Sequence, residues 1–401
     1  MNKGNSTTLH TGQKEILTSS ARFRVVAAGR RFGKTLVSEI AIIFQAARGK
    51  TCWWLAPTYA MSNHVWRDLK KLLRNFPDVK FSDKERCIDF PNGGTITVRS
   101  THLPDNLRGA GLDFVVLDEA AFMSPEVWAE IIQPMLLTTK GSALFLSSPN
   151  GLNWFWDIYR LGLNGSKPRK RSWRSFHFTS YDNPLIDPAE LDAIRRSTPE
   201  RAWREEYMAE FIADGGQVFR GVREAASAPL DAQPISGRRC IAGLDWARDN
   251  DYTCIVVIDA ETKQMVALER FHGVGWALQR ERVKAVYERW QPAAIWAETN
   301  SIGSPNIEAL QNEGLPVRPF TMTAQSKAPL IESLALALER REITLLPDET
   351  LLGELIAYHM ERLPGGGYKF TAPAGGHDDT VVALALAWHG IAQSTVLFDF
   401  L

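Results

Sequence analysis

Two short segments carry residue types and spacings that could do chemistry. Residues 28–35 read AGRRFGKT and residues 114–119 read FVVLDE. The first is a glycine-and-lysine loop between an apolar run, Val25–Ala28, and a helical pattern that starts at Thr35. Backbone N–H groups in such a loop, with the N-terminus of the following helix, cradle phosphate oxygens. Gly29, Arg30, Arg31 and Gly33 form the loop, with Ala28 where the usual pattern has its first glycine. Lys34 would reach the β- and γ-phosphates, and the Thr35 hydroxyl would bind Mg²⁺. Asp118 would hold that Mg²⁺, and Glu119 is placed to orient or deprotonate a water. A lone GKT can be a chance turn; a preceding strand and a downstream LDE argue against chance.

A second set lies in the other half. Asp245 follows an apolar run in AGLDWARDNDYT, Glu298 ends another in IWAETN, and Asp378 and Asp379 open an apolar helical pattern in GGHDDTVVALALA. Carboxylates far apart in sequence, each at a strand end or helix start, can converge at one edge of a sheet. Hard oxygen ligands suit Mg²⁺ or Mn²⁺. Two such ions about 4 Å apart would activate a water and stabilise the leaving oxygen of a phosphodiester. His377 would assist as a ligand or proton carrier. Each residue also has a plain structural use: Asp245 at a turn, Glu298 beside a surface arginine, Asp379 as a helix cap, His377 in a loop. It is the set in these places that points to a site. The other seven of the eight histidines show no ligand spacing.

The elements that must position these residues follow from hydrophobic periodicity. In the first half, strands are predicted at 24–28, 51–56, 95–100, 114–117 and 143–147. Helices are predicted at 35–48, 59–75 and 125–137. Continuous apolar strands alternating with helices imply a mainly parallel sheet covered on both faces. Residues 152–213 break into shorter pieces and include a basic run, Lys167–Arg174, suited to contacts with a DNA backbone; they are expected to form a lid subdomain of a domain spanning 1–213. Residues 214–238 carry Gly, Pro, Ala and Ser without a period and are expected to be a linker. From 239 to 401 the order is three strands, then helix, strand, helix, strand, helix, and a final helix from Asp378 or Asp379. That is the order of a ribonuclease-H-like domain.

The length of 401 residues makes two domains the natural expectation. Composition is that of a globular chain, with 45% hydrophobic and 23% charged residues. Forty-six basic residues balance forty-six acidic ones, so any nucleic-acid surface must be local. Cys52, Cys87, Cys240 and Cys254 form no CxxC and read as thiols of a reducing compartment. The N-terminus lacks an apolar signal region, and no apolar stretch spans a bilayer. A soluble, intracellular protein without a membrane is expected.

Taken together, these motifs resemble, in order and over nearly the whole chain, the large terminase subunit of tailed bacteriophages. GRRFGKT is similar to that family's arginine-containing phosphate loop. Gln13, in LHTGQKEIL, resembles its adenine-recognising glutamine. LRGAGLDFVVLDEAAFM resembles its carboxylate strand, with Arg108 where an arginine finger could sit. WWLAPTYAMS, LSSPNG and TSYDNP resemble the segment after the second strand, the coupling motif and a lid element. The aspartate, glutamate and HDD set resembles the packaging nuclease.

The resemblance implies a RecA/ASCE-like P-loop ATPase joined to an RNase H-like nuclease. The chain would use ATP to move double-stranded DNA into a capsid, and Mg²⁺ or Mn²⁺ to cut concatemeric DNA. Arg30 or Arg108 would neutralise the transferring phosphoryl group. Asp378 and Asp379 both remain candidates for the last metal ligand. Implied partners are a small terminase subunit, the capsid portal protein, and further copies in a homo-oligomeric ring, a pentamer, on that portal. The implied location is the host cytoplasm and, transiently, the procapsid. The alternative is a helicase-like repair ATPase fused to a junction-cutting nuclease, although the second half has no phosphate loop. A non-enzymatic nucleotide-sensing scaffold has no need of Glu119, Asp245 and Glu298.

Overall fold

The computed structural model describes residues 9–398, apart from 108, 110, 164–171, 214–215, 248–250, 300–302 and 363–367. Arg108 and residues 167–171 of the basic run therefore lie outside the described residues. The chain divides into two compact units, the first ending at Asp214 and the second beginning at Gly215.

The first unit is built on an eight-stranded sheet. In chain order its strands are β1 (Phe23–Ala28), β2 (Thr51–Ala56), β3 (Lys80–Ser82), β4 (Cys87–Asp89), β5 (Thr95–Ser100), β6 (Phe114–Asp118), β7 (Ser142–Ser147) and β8 (Trp173–Phe178). Across the sheet the order is β3-β4-β5-β2-β6-β7-β1-β8. The run from β5 to β8 is parallel, and β3 and β4 add an antiparallel edge. Strands β1 and β6 are buried on both faces, which explains why they are apolar apart from Arg24 and the terminal Asp118. Val26 and Ala28 pack with Val37 and Ile42 of the helix after the loop. Val25 and Ala27, one residue out of phase, pack with Phe145 and Phe155 on the other side. Strand β7 lies between β1 and β6. This is the arrangement expected of an ASCE-type sheet, with one strand between the phosphate loop and the acidic strand.

Two sequence expectations change here. The front part of the segment expected as a lid, Trp154–Phe178, joins the main sheet. Its β8 pairs in parallel with β1 over six positions, and Phe155, Ile158 and Tyr159 of helix Trp154–Leu163 enter the main core. The polar residues that alternate along WRSFHF hide that strand from a search for apolar runs, because β8 is an edge. The helix expected at 125–137 is a π-helical stretch, Val127–Ile132, followed by a single α-turn, Gln133–Met135. Pro134 supplies no N–H for a regular α-bond.

The second unit holds β9 (Cys240–Asp245), β10 (Thr253–Asp259), β11 (Gln264–Phe271), β12 (Ala294–Glu298) and β13 (Val317–Phe320), ordered β11-β10-β9-β12-β13. Strands β9 to β11 form an antiparallel meander, while β12 and β13 run parallel to β9. Helix Asp379–Phe398 covers one face through Val381, Leu384 and Ala387. Helix Trp276–Trp290 covers the other through Val283, Val286 and Trp290. Gly243 of β9 faces the C-terminal helix so closely that a Cβ there would overlap the Ala383 carbonyl.

Residues 214–238 are not simply a tether. Val218, Phe219, Val222, Ala225 and Ala228 join the core of the second unit. Their spacing has no single period, so the burial left no pattern to read. Helix Glu349–Ala357 and the hairpin of β14 (His359–Arg362) and β15 (Tyr368–Thr371) also add to the expected elements. Among the described residues no helix is long and apolar enough to cross a membrane.

Candidate functional sites

In the first unit, loop 29–33 joins β1 to α1 (Lys34–Ala46). Gly33 caps that helix with φ +97°, a left-handed conformation that glycine adopts at no steric cost. The Lys34 ammonium lies 2.8 Å from the Ala28 carbonyl and 3.9 Å from Glu119 Oε1. Thr35 is exposed in the first helical turn. Asp118 ends β6 and is buried. Burial first, and the Glu119 charge second, push its pKa up to about 7, while Lys34 pulls it back. Glu119 follows with φ +52°, an uncommon conformation for a residue with a Cβ. That turn sends its carboxylate to the end of β7, where Ser147 Oγ donates to Oε2 at 3.1 Å and the Ser148 N–H donates at 3.3 Å. The structure thus brings Lys34, after β1, close to Asp118 and Glu119, at the end of β6, with the end of β7 between them.

Gln13 also meets the loop. Its Nε2 donates to the Gly33 carbonyl at 3.2 Å, and its Oε1 accepts from the His10 N–H. The remaining grip comes from residues that sequence reasoning did not single out. Ser180 Oγ donates to the Arg30 carbonyl at 2.7 Å, and Asn183 Nδ2 to the Arg31 carbonyl at 2.6 Å. Arg30 Nε donates to Glu206 Oε2 at 2.6 Å, and the Arg30 N–H to the Glu206 carbonyl at 2.7 Å. The available sequence signal was TSYDNP, whose short polar side chains suit bonds to backbone.

In the second unit, Asp245 and Glu298 end the adjacent parallel strands β9 and β12, whose register pairs Leu244 with Ala297. Asp379 opens the C-terminal helix. Asp245 is buried, and its pKa lies well above the usual carboxylate range. Burial is the main cause, followed by Glu298, Asp379 and Asp378. Asp379 is pushed up to about 6 by burial, then by Asp251 and Glu354, with His377 opposing.

Asp251 was not among the residues singled out, since it stands in the acidic loop after β9 without periodic context. His377 Nδ1 lies 3.1 Å from Asp251 Oδ1 and 3.7 Å from Asp379 Oδ2. Donor atoms of these three residues all fall within 4.8 Å of one another. Asp379 Oδ2 is buried and accepts no hydrogen bond among the described residues. An orphaned carboxylate oxygen beside an imidazole and a second carboxylate fits a hard divalent cation. Asp378 instead pairs with Lys327 at 3.2 Å. Glu354 accepts from the Thr380 N–H at 3.0 Å and pairs with Arg270 at 3.1 Å, tying down the start of the helix that carries Asp379.

A phosphate-loop sheet with one strand between the loop strand and the acidic strand, joined in one chain to an RNase H-like sheet with clustered acids, defines a nucleotide-driven enzyme that also carries a nuclease fold. Comparisons with known proteins narrow this. The family model "Terminase large subunit, T4likevirus-type, N-terminal" matches residues 25–225, and "Terminase RNaseH-like domain" matches residues 242–389. The terminase large subunit of Thermus virus P23-45 is 31% identical, covering 94% of this chain and 87% of its own. Among solved structures, a large terminase from a thermophilic bacteriophage shares the fold, with a TM-score of 0.56 at 16% identity over 96% of this chain and 99% of that one. The large terminase nuclease of thermophilic phage G20c, solved with bound magnesium, is 29% identical over 44% of this chain and 98% of its own, with a TM-score of 0.41. The chain belongs to the terminase large subunit family.

Proposed function

We propose that this chain uses ATP to drive double-stranded DNA into a capsid and cuts that DNA with a divalent-metal nuclease. In the first unit, Lys34 holds the β- and γ-phosphates, and the loop amides with Gly29, Arg31 and Gly33 surround them. Thr35 and Asp118 hold Mg²⁺. Glu119 orients the attacking water, and Ser147 and Ser148 carry the state of its carboxylate into β7. Arg30, held ready by Glu206, neutralises phosphoryl charge; Arg108 remains the second candidate. Gln13, which bonds the Gly33 carbonyl, would read the adenine edge.

In the second unit, Asp245, Glu298 and Asp379, with Asp251 and His377, would hold Mg²⁺ or Mn²⁺. Such a cation, when bound, would polarise an attacking water and supply charge for the leaving oxygen. The side chains fix where it sits and keep that edge acidic.

The observation that carries the reading is the Lys34–Glu119–Ser147 constellation, which sets a phosphate-loop lysine beside a carboxylate held at the end of β7. Its test is phosphate release from ATP, alone and with DNA, alongside plasmid cleavage in Mn²⁺. A chain that binds ATP without turnover under every condition would refute it. A small terminase subunit, the capsid portal, a ring of five copies on it and the host cytoplasm complete the proposal. Assembly on purified portals is the measurement for those partners.

A further inference from the structure

One charged side chain beside the acid cluster has no role in this reading. Lys327 lies one turn into helix Ala324–Glu339, and its Nζ is 3.2 Å from Asp378 Oδ2. The same Nζ stands 5.8 Å over the ring of the fully buried Tyr358. The lysine side chain is 25% exposed and that of Asp378 31%, so the pair sits at the rim of the cluster. A cation in the first turns of a helix opposes the helix dipole. The helix end is already closed by a capping box between Thr323 and Ser326. Lys327 therefore serves no need of its own helix.

What stands near it is negative charge. Asp378 precedes Asp379 in the chain and adds its negative charge to that of Asp245, Glu298 and Asp379. A DNA phosphate approaching Asp245, Glu298 and Asp379 meets repulsion that bound metal offsets only where it sits. An ammonium has three N–H donors, and Asp378 is the single acceptor that Lys327 has among the described residues. Lysine is a compact point charge suited to phosphate oxygens.

We infer that Lys327 is a phosphate-contacting residue of the nuclease site, holding a non-bridging oxygen of the DNA backbone at the scissile step, while Asp378 keeps the ammonium in place. The inference rests on the nuclease reading above. It also gives the adjacent aspartates different tasks, with Asp379 toward the metal and Asp378 toward the lysine.

The test uses the full chain with Lys327→Met, Lys327→Arg and Asp245→Ala. It measures plasmid cleavage in Mn²⁺ and the affinity for duplex DNA in Ca²⁺ across a salt series. Lys327→Met should lower kcat/KM at least about tenfold and flatten the salt slope by about 0.9, the share of one phosphate contact. Lys327→Arg should retain most of both, and ATP hydrolysis should be unchanged in each. Wild-type cleavage and slope in Lys327→Met, with Asp245→Ala inactive, would overturn the inference and leave the nuclease reading standing. Cleavage by Asp245→Ala would instead remove the reading itself. If Lys327→Met melts early, Lys327→Arg decides: retained cleavage supports the contact, and a loss as deep as that of the methionine variant makes Lys327 a structural tie.

Discussion

Asn183 donates from Nδ2 to the main-chain carbonyl of Arg31 at 2.6 Å, so a side chain 152 positions downstream holds the middle of the phosphate loop. Ser180 does the same for Arg30. Loop amides bind phosphate well only when their direction is set in advance. Asn183→Ala should therefore weaken nucleotide binding roughly two- to tenfold, the worth of one net hydrogen bond. The readout is titration with a fluorescent ATP analogue. Unchanged affinity would mean that the loop is held without this bond.

Lys34 and Glu119 should separate binding from turnover. Lys34→Ala removes the ammonium beside the loop and should abolish binding. Glu119→Gln keeps the Ser147 and Ser148 contacts possible, yet should slow phosphate release by about 10²–10⁴, the usual contribution of a general base. Wild-type turnover in Glu119→Gln would move the water-orienting role to another residue.

The two activities lie in different units. Asp245→Ala should end plasmid cleavage and leave ATP hydrolysis intact. Loss of both would show that Asp245 supports more than its own site.

Metal should stabilise the second unit, and more so at higher pH. The Asp379 carboxyl, ordinarily near 4, titrates at about 6 in the folded chain, and Asp245 is also raised. Between about pH 4 and 6 the folded state binds more protons than the unfolded one, so metal-free stability falls as pH rises through that window. Protons and cations compete for the same oxygens. The melting shift caused by Mn²⁺ should therefore grow from pH 5 to pH 7, reaching about 2.7 kcal/mol at a hundredfold excess over Kd. A shift independent of pH would place the cation elsewhere.

Asp379→Asn should cost more cleavage than Asp378→Asn. Asp379 Oδ2 lies 3.7 Å from His377 Nδ1 and is buried, whereas Asp378 is engaged by Lys327. Parallel rates in Mn²⁺ decide the order, and a deeper loss in Asp378→Asn would exchange the two assignments.

Much of this was legible in the sequence because strong local signals coincide with burial. β2 and β5 fall where periodicity puts them, and the strands and helices of the second unit follow the order it predicts. The GKT loop, the LDE strand and the scattered aspartates stand at strand ends because chain crossings leave functional side chains there. Other features carried no such signal. β8 is an edge strand whose exposed positions are polar. The buried residues between Val218 and Ala228 follow neither a helical nor a strand period. Asp251, Ser180, Asn183 and Glu206 matter through contacts up to 176 positions away in sequence, which no local window contains.

Gly243 gives the second site a built-in spacer. Asp245 lies two residues along the same strand, and Ala383, which a methyl group at 243 would strike, lies one helical turn after Asp379. At position 243 the strand backbone lies directly against the helix backbone at Ala383 and Ala387, which fixes how closely the two elements that carry these carboxylates approach. Any larger residue at 243 would act as a shim, lifting the helix and widening the gap between Asp245 and Asp379. The reach of the nuclease toward its metal is in this sense machined into the strand, two residues away from the ligand itself.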